Sequence, residues 1–174
     1  MCGIFGIVSN DPIESGELRH LANHAEQRGK DSSGLFISKP NSYELDRANN
    51  AVTSLLKDVD VSKANFVMGH SRLITNGLAD NQPVYRDGVC VIHNGIVVNH
   101  EILWAKIGKT SHQEIDTEVI AAIAAEHLEA GWDVHNIAGR VLELCQGVVA
   151  CALALPKLGK LCLFSNNGSL YRGT

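Results

Sequence analysis

Two helical stretches, 116–130 and 133–144, lie back to back between apolar strand-like runs at 88–93 and 148–155. This order departs from the regular strand–helix–strand alternation of a parallel sheet and favours an α+β sandwich. The first helix carries Ile120, Ala121, Ile123, Ala124 and Leu128 on one face. Asp116 or Thr117 suits its N-cap, and Gly131 closes it. The second helix, Asp133 to Leu144, keeps Ile137, Val141 and Leu144 in phase. The short connection between the two predicts an antiparallel pair.

The rest of the chain reads as strands and turns. Residues 3–8 form a short buried strand, and Leu18, Leu21, Ala22 and Ala25 mark an amphipathic helix from Glu14 to Gln27 that ends at Arg28-Gly29. Residues 28–34 read as a polar loop bounded by glycines. Leu35–Ile37 is a strand, with Tyr43–Arg47 as its hairpin partner, and a weak helix spans Asn50–Asp58. Asn65–His70 is another strand, Leu78–Arg86 a loop, and Gly88–His93 a buried strand that stops at the turn signal Asn94-Gly95. His100–Ile107 is helical, and 148–155 pairs with 161–164. No repeat, low-complexity tract or linker divides the chain, so residues 1–174 are expected to be one domain.

A net charge of −4 without a Lys/Arg cluster argues against a nucleic-acid surface. No apolar run has the length of a membrane span, and no basic segment precedes the short apolar N-terminus as in a secretory leader. The five cysteines are odd in number and form no C-x-x-C pair, which suggests neither a disulfide framework nor a zinc site. Cys90, Cys145, Cys151 and Cys162 sit in apolar runs and read as small core residues. A cytoplasmic protein is expected. His70, His93 and His100 are not spaced as a ligand set, and His93, at the end of an apolar strand, reads as structural.

Cys2 follows Met1 directly. With the methionine removed, it would carry a thiol and a free α-amine, whose pKa is roughly 7.7–8.0. An N-terminal nucleophile that uses its own amine as base is an established mode of activation. Three further groups lie at strand edges. Arg72, with Thr75 beside it, can bind a carboxylate through parallel hydrogen bonds, or be a surface ion-pair residue. Asn94 and the Gly95 amide can hold a developing oxyanion, or form an ordinary hairpin turn. Asp116 can hold an ammonium group, cap its helix, or do both. A substrate with an α-carboxylate, an α-amine and a side-chain acyl group fits all four, and glutamine is such a molecule.

The motifs MCGIFG at 1–6, RGKDSSG at 28–34, GHSRLITNG at 69–77, IHNGIVVNHE at 92–101, IDTEVI at 115–120 and GVVACAL at 147–153 occur in that order. On them the chain resembles the class II, N-terminal nucleophile glutamine amidotransferases, most of all the glutaminase domains of glucosamine-6-phosphate synthases. The resemblance implies a four-layer αββα sandwich of the N-terminal nucleophile hydrolase type, with Cys2 at the end of a central strand. It implies Cys2 as nucleophile, its α-amine as base, and Asn94 and Gly95 as oxyanion hole. Arg72 and Thr75 would bind the glutamine carboxylate, Asp116 the α-amine, and Arg28 would shape the pocket near the nucleophile. No metal or cofactor is implied.

Leu73, Asn76 and Gln82 depart from the Trp and two His of the synthase pattern, which bears on the aminated product and not on the glutamine site. The family's domains continue into several more strands and a synthase domain that receives the ammonia. This chain is expected to lack its last strands, and to be either an excised domain or a short protein with a separate acceptor subunit. An open sheet edge would then favour a partner or a homodimer. Two other readings compete: an N-terminal nucleophile hydrolase for another γ-glutamyl or acyl amide, and a non-catalytic glutamine-binding module.

Overall fold

The computed structural model describes residues 2–74 and 80–173, and they divide into two compact units, 1–83 and 84–174. The first unit holds strands β1 (Gly3–Val8), β2 (Ser32–Lys39), β3 (Ser42–Ala48) and β4 (Phe66–Arg72), with helices α1 (Ser15–Glu26) and α2 (Val52–Leu55). The strands form an antiparallel sheet in the order β1-β4-β2-β3. The 3.6-residue apolar period of α1 buries Leu18, Ala22 and Ala25. Leu18 and Ala22 join Leu35, Ile37, Val52 and Val67 in the core of this unit.

Three expectations change here. The polar loop after α1 is shorter than the composition suggests, because Ser32–Gly34 already belong to β2. Ser32 pairs with Arg72, and Ser33 with both Ser71 and Ala48, so tertiary pairing overrides the loop preference of serine. The helix expected over 50–58 condenses to four residues. Among the described strands β1 pairs with β4 alone, so it lies at the edge of this sheet and not at its centre.

The second unit holds β5 (Val84–Arg86), β6 (Val89–Val97), β7 (Gly147–Leu155) and β8 (Lys160–Ser165), with α3 (His100–Ile107), α4 (Thr117–Glu129) and α5 (Val134–Leu144). Its strands form an antiparallel sheet in the order β5-β6-β7-β8. The expected loop before residue 86 thus ends in a short strand. The expected turn at Asn94-Gly95 is also absent, since β6 runs on to Val97. Asn94 pairs with Ala150 and Gly95 with Val149, so the length of β7 carries the ladder through the turn signal.

Helix α4 is buried all round from Thr117 to Ala125, not on one face. It packs against β5, β6, α3 and α5, and four alanines in this stretch let the neighbours approach. Asp133 caps α5 through the His135 N–H at 2.9 Å. Asp116 makes no side-chain cap to α4.

Arg86 and Glu118 form a buried charge pair in this unit. Arg86 Nη1 donates to Glu118 Oε1 at 2.6 Å and to the Thr110 carbonyl at 3.0 Å, with the guanidinium 4.9 Å from the Trp104 ring centroid. Glu118 Oε2 accepts from the Ser111 hydroxyl and from the His112 and Gln113 N–H groups at 2.8–2.9 Å. Burial pushes the Glu118 carboxyl up. The hydrogen bonds from Ser111, Gln113, His112 and Arg86 outweigh that and hold it below the usual carboxylate range. Glu118→Ala removes the buried partner of the guanidinium, leaving it the half-exposed Asp87 carboxylate 3.5 Å from Nε, and is expected to lower unfolding free energy by about 3 kcal/mol in urea titrations.

Among the described residues no helix is long and apolar enough to cross a membrane. Nor does any group of three or more His, Cys, Asp or Glu residues there suit a metal ion.

Candidate active site

Cys2 immediately precedes β1 and is half-buried. Arg28 Nε donates to its carbonyl at 3.0 Å. Arg28 stands just past α1, where the Arg28 and Gly29 N–H groups close the last turn on Ala25 and Glu26. Gly29 lies against the backbone of β4's end, and a Cβ there would stand 2.2 Å from the Leu73 nitrogen. The Ser71 hydroxyl donates to the Gly29 carbonyl at 2.6 Å, and the Asp31 N–H to the Arg72 carbonyl at 3.0 Å. Asp31 Oδ2 then accepts from the Ile74 N–H at 2.8 Å. Residues 28–31 are thereby fastened along 71–74, and one short segment sets the positions of both Cys2 and Arg72.

Arg72 ends β4 with 6 % exposure, so it is not the surface residue that a lone arginine suggests. Its Nη1 donates to the Asp80 carbonyl. Thr75, expected beside it, lies outside the described residues, as do Met1 and Asn76.

In the second unit, Asn94, Gly95 and Asp116 come onto one frame. Asn94 is half-buried in β6. Gly95 has φ +151°, and a Cβ built on it would lie 1.8 Å from the Val148 carbonyl oxygen. The close approach of β7 therefore demands glycine here. Asp116 turns its carboxylate to β6, where Oδ2 accepts from the Val97 N–H at 2.6 Å. The cap reading of Asp116 gives way because this N–H, two residues beyond Gly95, takes the carboxylate instead.

His93 lies beneath this frame with 2 % exposure. Its Nε2 is 3.1 Å from the Val148 carbonyl and its Nδ1 3.3 Å from the Thr117 hydroxyl. Burial pulls its pKa down. The Asp116 charge and the Val148 hydrogen bond oppose the shift without cancelling it. A histidine held below its unfolded pKa binds fewer protons folded than unfolded. Its contribution is therefore present above the unfolded pKa of about 6.5 and is lost as pH falls towards the folded pKa. Stability measured by urea denaturation is expected to drop below about pH 6.5, with a smaller drop in His93→Gln.

Cys145 is pushed up to about 12 by burial and by the Asp116 charge. Cys151, fully buried, is held well above its ordinary value by burial, with Cys145 and Asp116 adding to it, and burial also raises Cys162. These groups stay protonated near neutrality, as small core residues should. Asp31 and Ser71, which tie the segment after α1 to the end of β4, are not singled out by the sequence. The bridging contacts of His93 are likewise invisible there, since Val148 is 55 residues away.

The sequence profile of a family described as glutamine amidotransferase domain matches residues 70–168, more than half of the 174-residue chain. A glutamine–fructose-6-phosphate aminotransferase of Zymomonas mobilis is 28 % identical over 177 residues, covering 97 % of this chain and 29 % of its own length. The enzyme of the same name from Rhizobium leguminosarum is 30 % identical, again over 97 % of this chain and 29 % of its own. The chain thus spans less than a third of these curated relatives. Among solved structures, the glutamine phosphoribosylpyrophosphate amidotransferase of B. subtilis superposes with a TM-score of 0.72 at 21 % identity, covering 89 % of this chain and 35 % of that one. An allosteric regulatory enzyme of purine biosynthesis superposes with a TM-score of 0.73, also at 21 % identity, over 89 % of this chain and 36 % of that one. These likenesses establish the shared fold, and they bear out the expected α+β class.

Proposed function

We propose, since the chain belongs to the glutamine amidotransferase domain family, that it hydrolyses the side-chain amide of glutamine to glutamate and ammonia through Cys2. With Met1 removed, the α-amine of Cys2 takes the thiol proton, and the thiolate attacks the amide carbon. The side-chain amide of Asn94 and the Gly95 N–H hold the oxyanion that forms. The ammonium of Cys2 returns its proton to the leaving nitrogen, the C–N bond breaks, and ammonia departs from a γ-glutamyl thioester. Water, deprotonated by the same amine, attacks the thioester, and glutamate leaves with the thiol restored.

Arg72, with Thr75, binds the glutamine α-carboxylate, and Asp116 binds the α-ammonium. Arg28 holds the Cys2 backbone through its carbonyl. The observation that carries this reading is Asp116, half-buried and anchored to the Val97 N–H with one carboxylate oxygen left for a cation. That arrangement suits a free amino acid better than a general acyl amide. The ammonia passes to a synthase domain or subunit, as in relatives several times longer than this chain. The free thiols of all five cysteines suit the reducing cytoplasm we assign to it.

Intact mass before and after treatment with a diazo-ketone glutamine analogue tests the proposal. The expected result is a protein lacking methionine that gains one label, with no label on Cys2→Ala. Retained methionine without labelling would leave the glutamine-binding module as the reading.

A further inference from the structure

We propose that His93 is a positioning residue whose two ring nitrogens separately hold the oxyanion pair and the ammonium partner of the glutamine site. The proposal rests on the glutaminase reading above. A carbonyl oxygen can only accept, so the Val148 contact at 3.1 Å assigns the ring proton to Nε2. Nδ1 then presents a lone pair to Thr117 Oγ1 at 3.3 Å, and the hydroxyl donates to it. The imidazole thereby satisfies both neighbours in one tautomer, inside a site only 2 % exposed where an unmet polar group is costly.

Each bond leads to a different part of the site. The Val148 oxygen is the atom that presses on Gly95, since a Cβ at Gly95 would meet that oxygen at 1.8 Å and His93 Nε2 at 2.8 Å. By holding this carbonyl, His93 sets the surface against which the Gly95 peptide lies. Thr117 is the first residue of α4 and follows Asp116, whose carboxylate must reach the Val97 N–H. By accepting from the Thr117 hydroxyl, His93 fixes the start of α4 and hence the aim of Asp116. One side of the ring serves the reacting carbonyl of the substrate, and the other serves its ammonium.

Amide side chains separate the two bonds. In His93→Gln the amide N–H replaces the Nε2 donor and the Thr117 bond is lost. In His93→Asn the amide oxygen replaces the Nδ1 acceptor and the Val148 bond is lost. Thr117→Val removes the hydroxyl at nearly constant volume. Expected for His93→Gln and Thr117→Val is a KM for glutamine raised about tenfold, the worth of one hydrogen bond, with kcat little changed. His93→Asn is expected to lower kcat by about 10² with KM little changed. Loss of both parameters together, tracking the fall in melting temperature across the three variants, would overturn the proposal, as would three variants with parental kinetics.

A second readout does not depend on turnover. Nitrogen-15 spectra of the parent protein should show His93 protonated at Nε2, and Thr117→Val should shift Nδ1 alone. An Nδ1–H tautomer in the parent overturns the proposal whether or not the protein hydrolyses glutamine. A parent with the Nε2–H tautomer and no turnover overturns the glutaminase reading instead.

Discussion

Cys2→Ala is expected to lower kcat for glutamine hydrolysis by on the order of 10⁴–10⁶, the usual cost of losing a covalent nucleophile. The fold should survive the change. Arg28 grips the backbone carbonyl of residue 2, so alanine keeps that contact. The half-buried thiol contributes little packing, and the melting temperature should match the parent within a few degrees. Ammonia release measured beside thermal unfolding separates the two effects. A fall of less than about tenfold would place the nucleophile elsewhere, and the other cysteines offer poor candidates. Cys90, Cys145 and Cys151 are buried, and the latter two are held as thiols.

Gly95→Ala should damage both folding and catalysis. The new methyl carbon would lie 1.8 Å from the Val148 oxygen and 2.6 Å from its carbonyl carbon, and both are backbone atoms locked in the β6–β7 ladder. The φ of +151° adds strain for any residue with a Cβ. A stability loss of about 3 kcal/mol or more is expected in urea titrations. The displaced amide should lower kcat by about 10²–10³ in the molecules that still fold. Gly139→Ala is the natural control. It sits in α5 with nothing within 4 Å of its new methyl. That change should stabilise by about 0.5–1 kcal/mol, the helix preference of alanine over glycine.

The contrast between these glycines shows what a sequence does and does not reveal. Periodicity marks α1, α4 and α5 and most strands, because apolar spacing is a local property, although it shows one apolar face of α4 where the fold buries Thr117 to Ala125 all round. Asn94-Gly95 looks like a turn because its turn chemistry is local too, whereas its strand partners, Ala150 and Val149, are more than fifty residues away. The same reason hid Ser32 and Ser33, which look like loop residues until Arg72 and Ser71 pair with them. Asp116 carries an ordinary capping signature, and only the placement of the Val97 N–H redirects it. The family itself was legible from ordered motifs, since each keeps its own residues close together. The cross-links between motifs, such as Asp31 to Ile74 or His93 to Thr117, required the fold.

The protonated state of the interior cysteines bears on how the protein can be addressed chemically. An electrophilic probe needs both access to a thiol and its thiolate form, so burial and a raised pKa each silence a cysteine. Cys145 and Cys151 combine burial with a nearby carboxylate charge, and burial alone disfavours the thiolate at Cys162. A small, indiscriminate warhead can therefore serve as a one-site reporter for Cys2, and a fluorophore or spin label could be installed there without mutating the other four cysteines.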